Sequence, residues 1–349
     1  MIYILKLVLS LLLLFTNYFF LKKSSKLINL FDIVDKNYSK PQSFHDTPTP
    51  RIGGILLLSN LIILTIYSNF FLESAYLFLL FSIPFFFVGF VDDAKIIENP
   101  KTRLALLISI IIGFIIISNI KIDNTGIELL NNVLNKYFLF QLVFILLCFL
   151  TIINGSNFID GFNGLLIIHS IIIFIILTFI NFDNYLFIES LTILFSFSII
   201  IFFNFPKAKF FLGDSGAYTI GFLISYFIIR TANENSNISP IIFCILLFYL
   251  FYEVLFSFCR KKILKLNPLK PDRNHLHMII YRLINKNINN KFKSNYYTSI
   301  IINTFYLFLI TPSIFFYESG LLCKIYFIIL ILIYTFIYFI LKKYEKSKY

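Results

Sequence analysis

Runs of about 20 consecutive apolar residues dominate this chain, and no other feature constrains its fold so tightly. An α-helix rises 1.5 Å per residue, so about 20 residues cross the hydrocarbon core of a bilayer. Eleven such runs can be read, at 2–21, 52–72, 74–91, 104–120, 137–153, 164–182, 185–203, 216–231, 239–258, 298–317 and 321–341. They are apolar on every face, unlike the alternating strands of about ten residues that build a membrane barrel. The expected fold is therefore all-α: a polytopic integral membrane protein of about 11 transmembrane helices, with 1–349 as one domain. Composition agrees, with 58% hydrophobic and 14% charged residues against roughly 25% charged in a soluble domain. The same figures exclude intrinsic disorder. Four Cys in 349 residues exclude a disulfide scaffold. No small-residue cleavage site follows the first run, so it reads as a retained signal-anchor.

The formal net charge of +12 is a topology signal. Eleven spans put the termini on opposite sides. If 22–51 lies inside, the inside segments hold 25 of the 30 Lys and Arg, and the outside loops hold only Lys121 and Lys136. The positive-inside rule then places the amino terminus outside and the carboxyl terminus in the cytoplasm. Most of the excess charge thus sets orientation and meets anionic lipid headgroups. Nucleic acid is not an expected partner, since no basic domain stands apart from the membrane. The rule is nearly blind to Asp, yet eight of ten Asp fall inside. Short carboxylates gathered beside basic residues on one face suggest a metal and phosphate site.

Five cytoplasmic motifs, in loops 22–51, 92–103, 154–163, 204–215 and 259–297, carry the polar chemistry. Val91-Asp92-Asp93-Ala94-Lys95 pairs two adjacent carboxylates, which persist where a cation or proton sits between them; Lys101 and Arg103 follow. Asn154-Gly155-Ser156-Asn157-Phe158-Ile159-Asp160-Gly161-Phe162-Asn163-Gly164 repeats Asn157, Asp160 and Asn163 at a spacing that shares one helix face. Phe211-Leu212-Gly213-Asp214-Ser215-Gly216 puts a carboxylate beside free backbone N–H groups at a helix entry, a geometry suited to phosphate and metal. Pro271-Asp272-Arg273-Asn274-His275-Leu276-His277 sets two His and an Arg toward metal or anionic oxygens. It lacks zinc-site spacing. His45-Asp46-Thr47-Pro48-Thr49-Pro50-Arg51-Ile52-Gly53-Gly54 ends in a pair of glycines that permits close backbone approach.

In this order on one face, the five motifs resemble those of the polyprenyl-phosphate N-acetylhexosamine-1-phosphate transferases (glycosyltransferase family 4), over about Ser43 to Met278. The His-bearing loop looks like that of the undecaprenyl-phosphate N-acetylglucosamine-1-phosphate transferase branch. The resemblance implies a Mg2+-dependent enzyme, with Mn2+ as the alternative ion, in the bacterial inner membrane. It would move a sugar-1-phosphate from a UDP-N-acetylhexosamine to undecaprenyl (polyprenyl) phosphate, release UMP and initiate a cell-envelope glycan such as lipopolysaccharide O-antigen. It implies Asp92, Asp93 and Asp160 as catalytic residues and Asp214 with Asn157 as the metal site. Asn163 would face uracil, at a position where most bacterial relatives carry Asp. His275, His277 and Arg273 would hold the donor diphosphate, and Lys101, Arg103 and Arg51 are further phosphate candidates. The sugar and the oligomeric state stay open, a homodimer included. The competing expectation is a transporter or flippase for a lipid-linked or anionic substrate. That class sets polar groups at the bilayer midplane, often within repeats; here they gather at one face and no repeat is visible.

Overall fold

The apolar run richest in small residues becomes the centre of the molecule. Gly213–Glu234 contains three Gly, two Ala, two Ser and two Thr, and 17 of its residues are buried. Small side chains let neighbouring backbones come close, which is how helices associate where lipid and side chain are equally apolar. The computed structural model describes residues 13, 15–20, 22, 33–35, 48–69, 76–97, 99–267 and 272–347. Much of the first expected span, most of 22–51 including His45 and Asp46, and Pro271 lie outside the described residues.

The described helices are α1 (Gly53–Asn69), α2 (Tyr76–Asp93), α3 (Pro100–Ser118), α4 (Glu128–Lys136), α5 (Phe138–Ile159), α6 (Leu165–Ile180), α7 (Leu186–Asn204), α8 (Gly213–Glu234), α9 (Ile241–Leu246), α10 (Phe248–Ile263), α11 (Leu276–Ile288), α12 (Lys291–Ile310) and α13 (Gly320–Ser347). A 3-10 turn, Thr311–Phe315, follows α12. A minimal antiparallel pair, β1 (Val34–Asp35) and β2 (Thr49–Pro50), sets Val34 opposite Pro50. By length and composition, five of the described helices could cross a membrane: α3, α5, α7, α12 with its 3-10 turn, and α13. This is a mostly helical membrane protein. Helix α8 packs most extensively on α2 and α5 and also touches α1 and α6.

Three local readings change in the structure. The segment 154–163 is largely helix, because Asn154–Ile159 complete α5 and only Asp160–Gly164 turn. Gly155 is there for packing: a Cβ on it would lie 2.3 Å from the Leu250 carbonyl oxygen of α10. The expected span at 239–258 is two helices, α9 and α10, divided at Leu247. Residues 121–136 contain α4, whose Leu134 is buried while Leu129 points outward.

Candidate active site

Separate motifs meet at the amino end of α8. The Gly53 and Gly54 N–H groups donate to the carbonyls of Phe211 and Leu212, both at 3.0 Å, and the Phe211 N–H donates to the Pro50 carbonyl at 2.9 Å. The chain before α1 is thereby bonded to the chain before α8. Gly213 then turns with φ +73°, and a Cβ there would lie 2.5 Å from Oδ2 of Asp93. Only glycine accepts both conditions.

Asp93 closes the helix end. Its Oδ1 accepts the Asp214 N–H at 3.0 Å, and its Oδ2 accepts the Ser215 N–H at 3.0 Å and the Ser215 hydroxyl at 2.8 Å. Arg51 Nη1 lies 3.5 Å from Oδ1. The Gly213 N–H donates to Asp160. The α8 amide donors expected to be free for phosphate are therefore consumed by two carboxylates from α2 and the α5–α6 turn. The cause is that orphan N–H groups at a helix start must find acceptors, and anions suit the positive end of the helix dipole.

Outside this cap lies a second layer. The Asp92 and Asp214 carboxyl groups are in hydrogen-bond contact with each other, an arrangement that needs a shared proton or a cation. Arg103 Nη1 is 2.6 Å from Asp92 Oδ2 and 3.9 Å from Asp214 Oδ2. Asn157 Nδ2 donates to Asp214 Oδ1 at 2.9 Å and also bonds Tyr218, one turn along α8. Burial first, and then the neighbouring Asp214, hold the carboxyls of Asp92, Asp93 and Asp160 above the ordinary carboxylate range; Arg103 opposes this at Asp92, and Arg51 at Asp93 and Asp160. Four carboxyl groups face two guanidinium groups, so protons held on the carboxyls or a further cation must offset the difference. Among the described residues no group of three or more His, Cys, Asp or Glu is arranged to hold a metal ion.

The two His lie on the other side of the α5–α6 turn. His275 packs against Phe158 with ring centroids 5.0 Å apart, and His277 against Phe162 at 5.6 Å. The imidazoles are parallel to each other, 5.4 Å apart. His275 Nδ1 is 2.8 Å from Glu253 Oε1, and His277 Nδ1 is 3.1 Å from the Tyr249 hydroxyl. The Nε2 of His277 is buried with no hydrogen-bond partner. Burial pushes the His277 imidazole down to about 3, so it is neutral at physiological pH.

Seven of the expected site residues form the carboxylate cluster: Asp92, Asp93, Asp160, Asp214, Asn157, Arg51 and Arg103. Asn163 is buried elsewhere on the turn, with Nδ2 donating to the Pro206 carbonyl at 3.0 Å and its N–H donating to Asn295 Oδ1 at 2.8 Å. The side chains of Lys101 and Arg273 are exposed, and among the described residues no hydrogen bond or ion pair joins either to the cluster. Sequence reasoning passed over Ser215, Tyr218, Gly89 and Glu253. Tyr218 stands one helical turn from Asp214, a spacing that would have marked it. Glu253 is a carboxylate inside an apolar span, itself a sign of function. Gly89 carried no local signal.

Residues 75–232 match the family model for glycosyl transferase family 4. The chain is similar to the undecaprenyl-phosphate alpha-N-acetylglucosaminyl 1-phosphate transferase of Thermotoga maritima, at 26% identity over 69% of this chain and 71% of the relative. It is similar to the phospho-N-acetylmuramoyl-pentapeptide-transferase of Prochlorococcus marinus subsp. pastoris, at 30% identity over 57% of this chain and 61% of the relative. It is also similar to the undecaprenyl-phosphate alpha-N-acetylglucosaminyl 1-phosphate transferase of Escherichia coli (strain K12), at 24% identity over 76% of this chain and 72% of the relative.

Proposed function

We propose that the chain is a member of glycosyl transferase family 4, whose family model matches residues 75–232, and that it transfers a sugar-1-phosphate from a UDP-N-acetylhexosamine to a polyprenyl phosphate. An oxygen of the lipid phosphate attacks the phosphorus that bears the sugar. The bond from that phosphorus to the bridging oxygen breaks, and UMP leaves with the electron pair. The observation that carries this reading is the contact between Asp92 and Asp214 beside Arg103 and Asn157. It gathers cation-binding carboxylates and an anion-binding guanidinium in one place, as phosphoryl transfer requires. A transporter is not favoured, because the relatives are named as transferases.

The residues fit a divalent ion of the Mg2+ type. Such an ion binds through one or two carboxylates, and substrate phosphates complete its shell. Asp214 and Asp92 would hold it, with Mn2+ as the alternative, and Asn157 would fix Asp214. When bound, the ion offsets charge that builds on phosphate oxygens. Asp93 acts by holding α8 in place, since three hydrogen bonds already occupy its carboxylate. Asp92 is then the carboxylate of the pair left to face the lipid phosphate, with the ion it would share with Asp214 between the two anions. The second pKa of a phosphate monoester lies near 6, so the acceptor is already ionised at neutral pH. The unpartnered Nε2 of His277 supports the placing of the donor diphosphate near His275 and His277.

The charge distribution supports eleven spans, with the site facing the cytoplasm of a bacterial inner membrane, where a soluble donor meets a bilayer acceptor. The test is Asp214→Asn in purified protein, assayed for UMP release from a UDP-N-acetylhexosamine with undecaprenyl phosphate and Mg2+. The expected result is loss of turnover; near-normal turnover would overturn the metal assignment.

A further inference from the structure

Among the described residues of the loop that ends at His275 and His277, each from Asp272 to Leu276 is held by α10, α11 or α13. Arg260 of α10 pairs with Asp272 and donates to the Asn274 carbonyl at 2.7 Å. From α13, the Tyr338 hydroxyl donates to the same carbonyl at 3.0 Å, and Lys342 Nζ donates to Asn274 Oδ1 at 2.6 Å. Arg282 donates to the Arg273 carbonyl at 2.6 Å and is paired with Glu345, which also meets Lys342 at 2.8 Å. Glu253, 1% exposed, accepts from the Leu276 N–H at 3.3 Å and the Tyr334 hydroxyl at 2.5 Å, and its Oε1 lies 2.8 Å from His275 Nδ1.

Tyr334, Tyr338, Lys342 and Glu345 recur at spacings of four, four and three, so they form one stripe along α13. Much of the rest of that helix is exposed and apolar. The polar contacts of this stripe therefore converge on the loop and on Glu253 behind it. A buried carboxylate with its hydroxyl and imidazole partners is a costly way to pin a helix, and apolar side chains would pin it as firmly. It does one thing apolar residues cannot. Glu253 already accepts from the Leu276 N–H and the Tyr334 hydroxyl, so as a carboxylate it leaves the Nδ1 of His275 the donor's place in their contact, and the Nε2 of His275 is presented in a fixed direction.

We infer that Glu253 and Tyr334 are positioning residues that orient His275 for the donor diphosphate, with the Tyr338–Glu345 end of α13 as the splint for its loop. This rests on the reading of that loop as the donor site. The same logic operates where a carboxylate behind an imidazole sets the direction of its other nitrogen.

The test uses the full chain purified in detergent, with Glu253→Gln and Tyr334→Phe made singly. UMP release is measured with UDP-N-acetylglucosamine varied at saturating undecaprenyl phosphate, and then the reverse, together with the thermal unfolding midpoint. Donor KM should rise at least tenfold in Glu253→Gln and about threefold in Tyr334→Phe. The KM for lipid phosphate should hold in both, and the midpoint should hold in Tyr334→Phe. Should Glu253→Gln fail to fold, Tyr334→Phe decides, because it removes one hydroxyl oxygen and keeps the ring. A donor KM within twofold of wild type, or both KM values rising together with a lower midpoint, overturns the inference while the activity stands. Wild-type protein that releases UMP from no UDP-N-acetylhexosamine overturns the activity, and this inference with it.

Discussion

Replacing Gly89 by Ala should inactivate the enzyme without touching a polar group. A Cβ at Gly89 would lie 2.3 Å from the Ser215 nitrogen and 2.4 Å from the Asp214 carbonyl carbon and oxygen, where ordinary Cβ contacts begin at 3.4 Å. All three atoms are backbone, so no side chain can rotate away, and α2 must part from α8 by about 1 Å. The hydrogen bonds from Asp93 to the α8 end, now 2.8–3.0 Å, would stretch to about 4 Å and be lost. Overpacking of this kind costs about 1–3 kcal/mol, offset by up to about 1 kcal/mol from the better helix propensity of Ala. The effect on chemistry is larger, because Asp92 rides on α2 and Asp214 on α8. A misplacement of about 1 Å in a reacting constellation costs on the order of 100-fold in rate. The assay is UMP release at saturating donor and acceptor, paired with the thermal unfolding midpoint. Gly113→Ala is the control: a Cβ there meets nothing within 4 Å, so turnover should match wild type. A folded Gly89→Ala enzyme that keeps more than a third of wild-type turnover would refute the claim that this backbone contact aligns the two carboxylates.

Burial lowers the His277 pKa to about 3, against about 6.5 in an unfolded chain. The unfolded state therefore binds the extra proton between those values, so stability is full above pH 6.5 and falls by at most about 1.4 kcal/mol per pH unit as the pH drops toward 3. His277→Gln should flatten the decline of the unfolding midpoint between pH 6.5 and 4; parallel curves for the two proteins would contradict it. A fluorescent reporter fused after Tyr349 should report the cytoplasm, and periplasmic activity of a fused phosphatase would overturn the eleven-span topology.

The membrane class, the helical fold and the chemistry of the cluster were legible because they depend on local composition. A run of 20 apolar residues has few alternatives to a membrane helix. Asp92, Asp93, Asp160, Asp214 and Asn157 stood out as polar residues in short breaks between such runs. Their division of labour was not legible. The Asp92-Asp93 pair is symmetric in sequence, yet Asp93 is spent on the α8 backbone while Asp92 meets Asp214 and Arg103. Lys101 looked as suitable as Arg103 and is exposed. The break of one long run at Leu247 and the place where α5 ends, at Ile159, also went unseen. Composition does not register which hydrogen bonds a neighbouring helix will complete.

The sequence by itself determined that this chain is a helical membrane protein with its acidic and basic chemistry in five short breaks. Only the tertiary structure decided which of those groups touch. Gly89 lets the backbones of α2 and α8 meet, Gly213 makes room for the Asp93 carboxylate, and α13 reaches back to Asn274 with Glu253 behind His275. Those contacts join residues far apart in the chain. Their geometry follows from close packing and the satisfaction of buried donors, which no local pattern encodes.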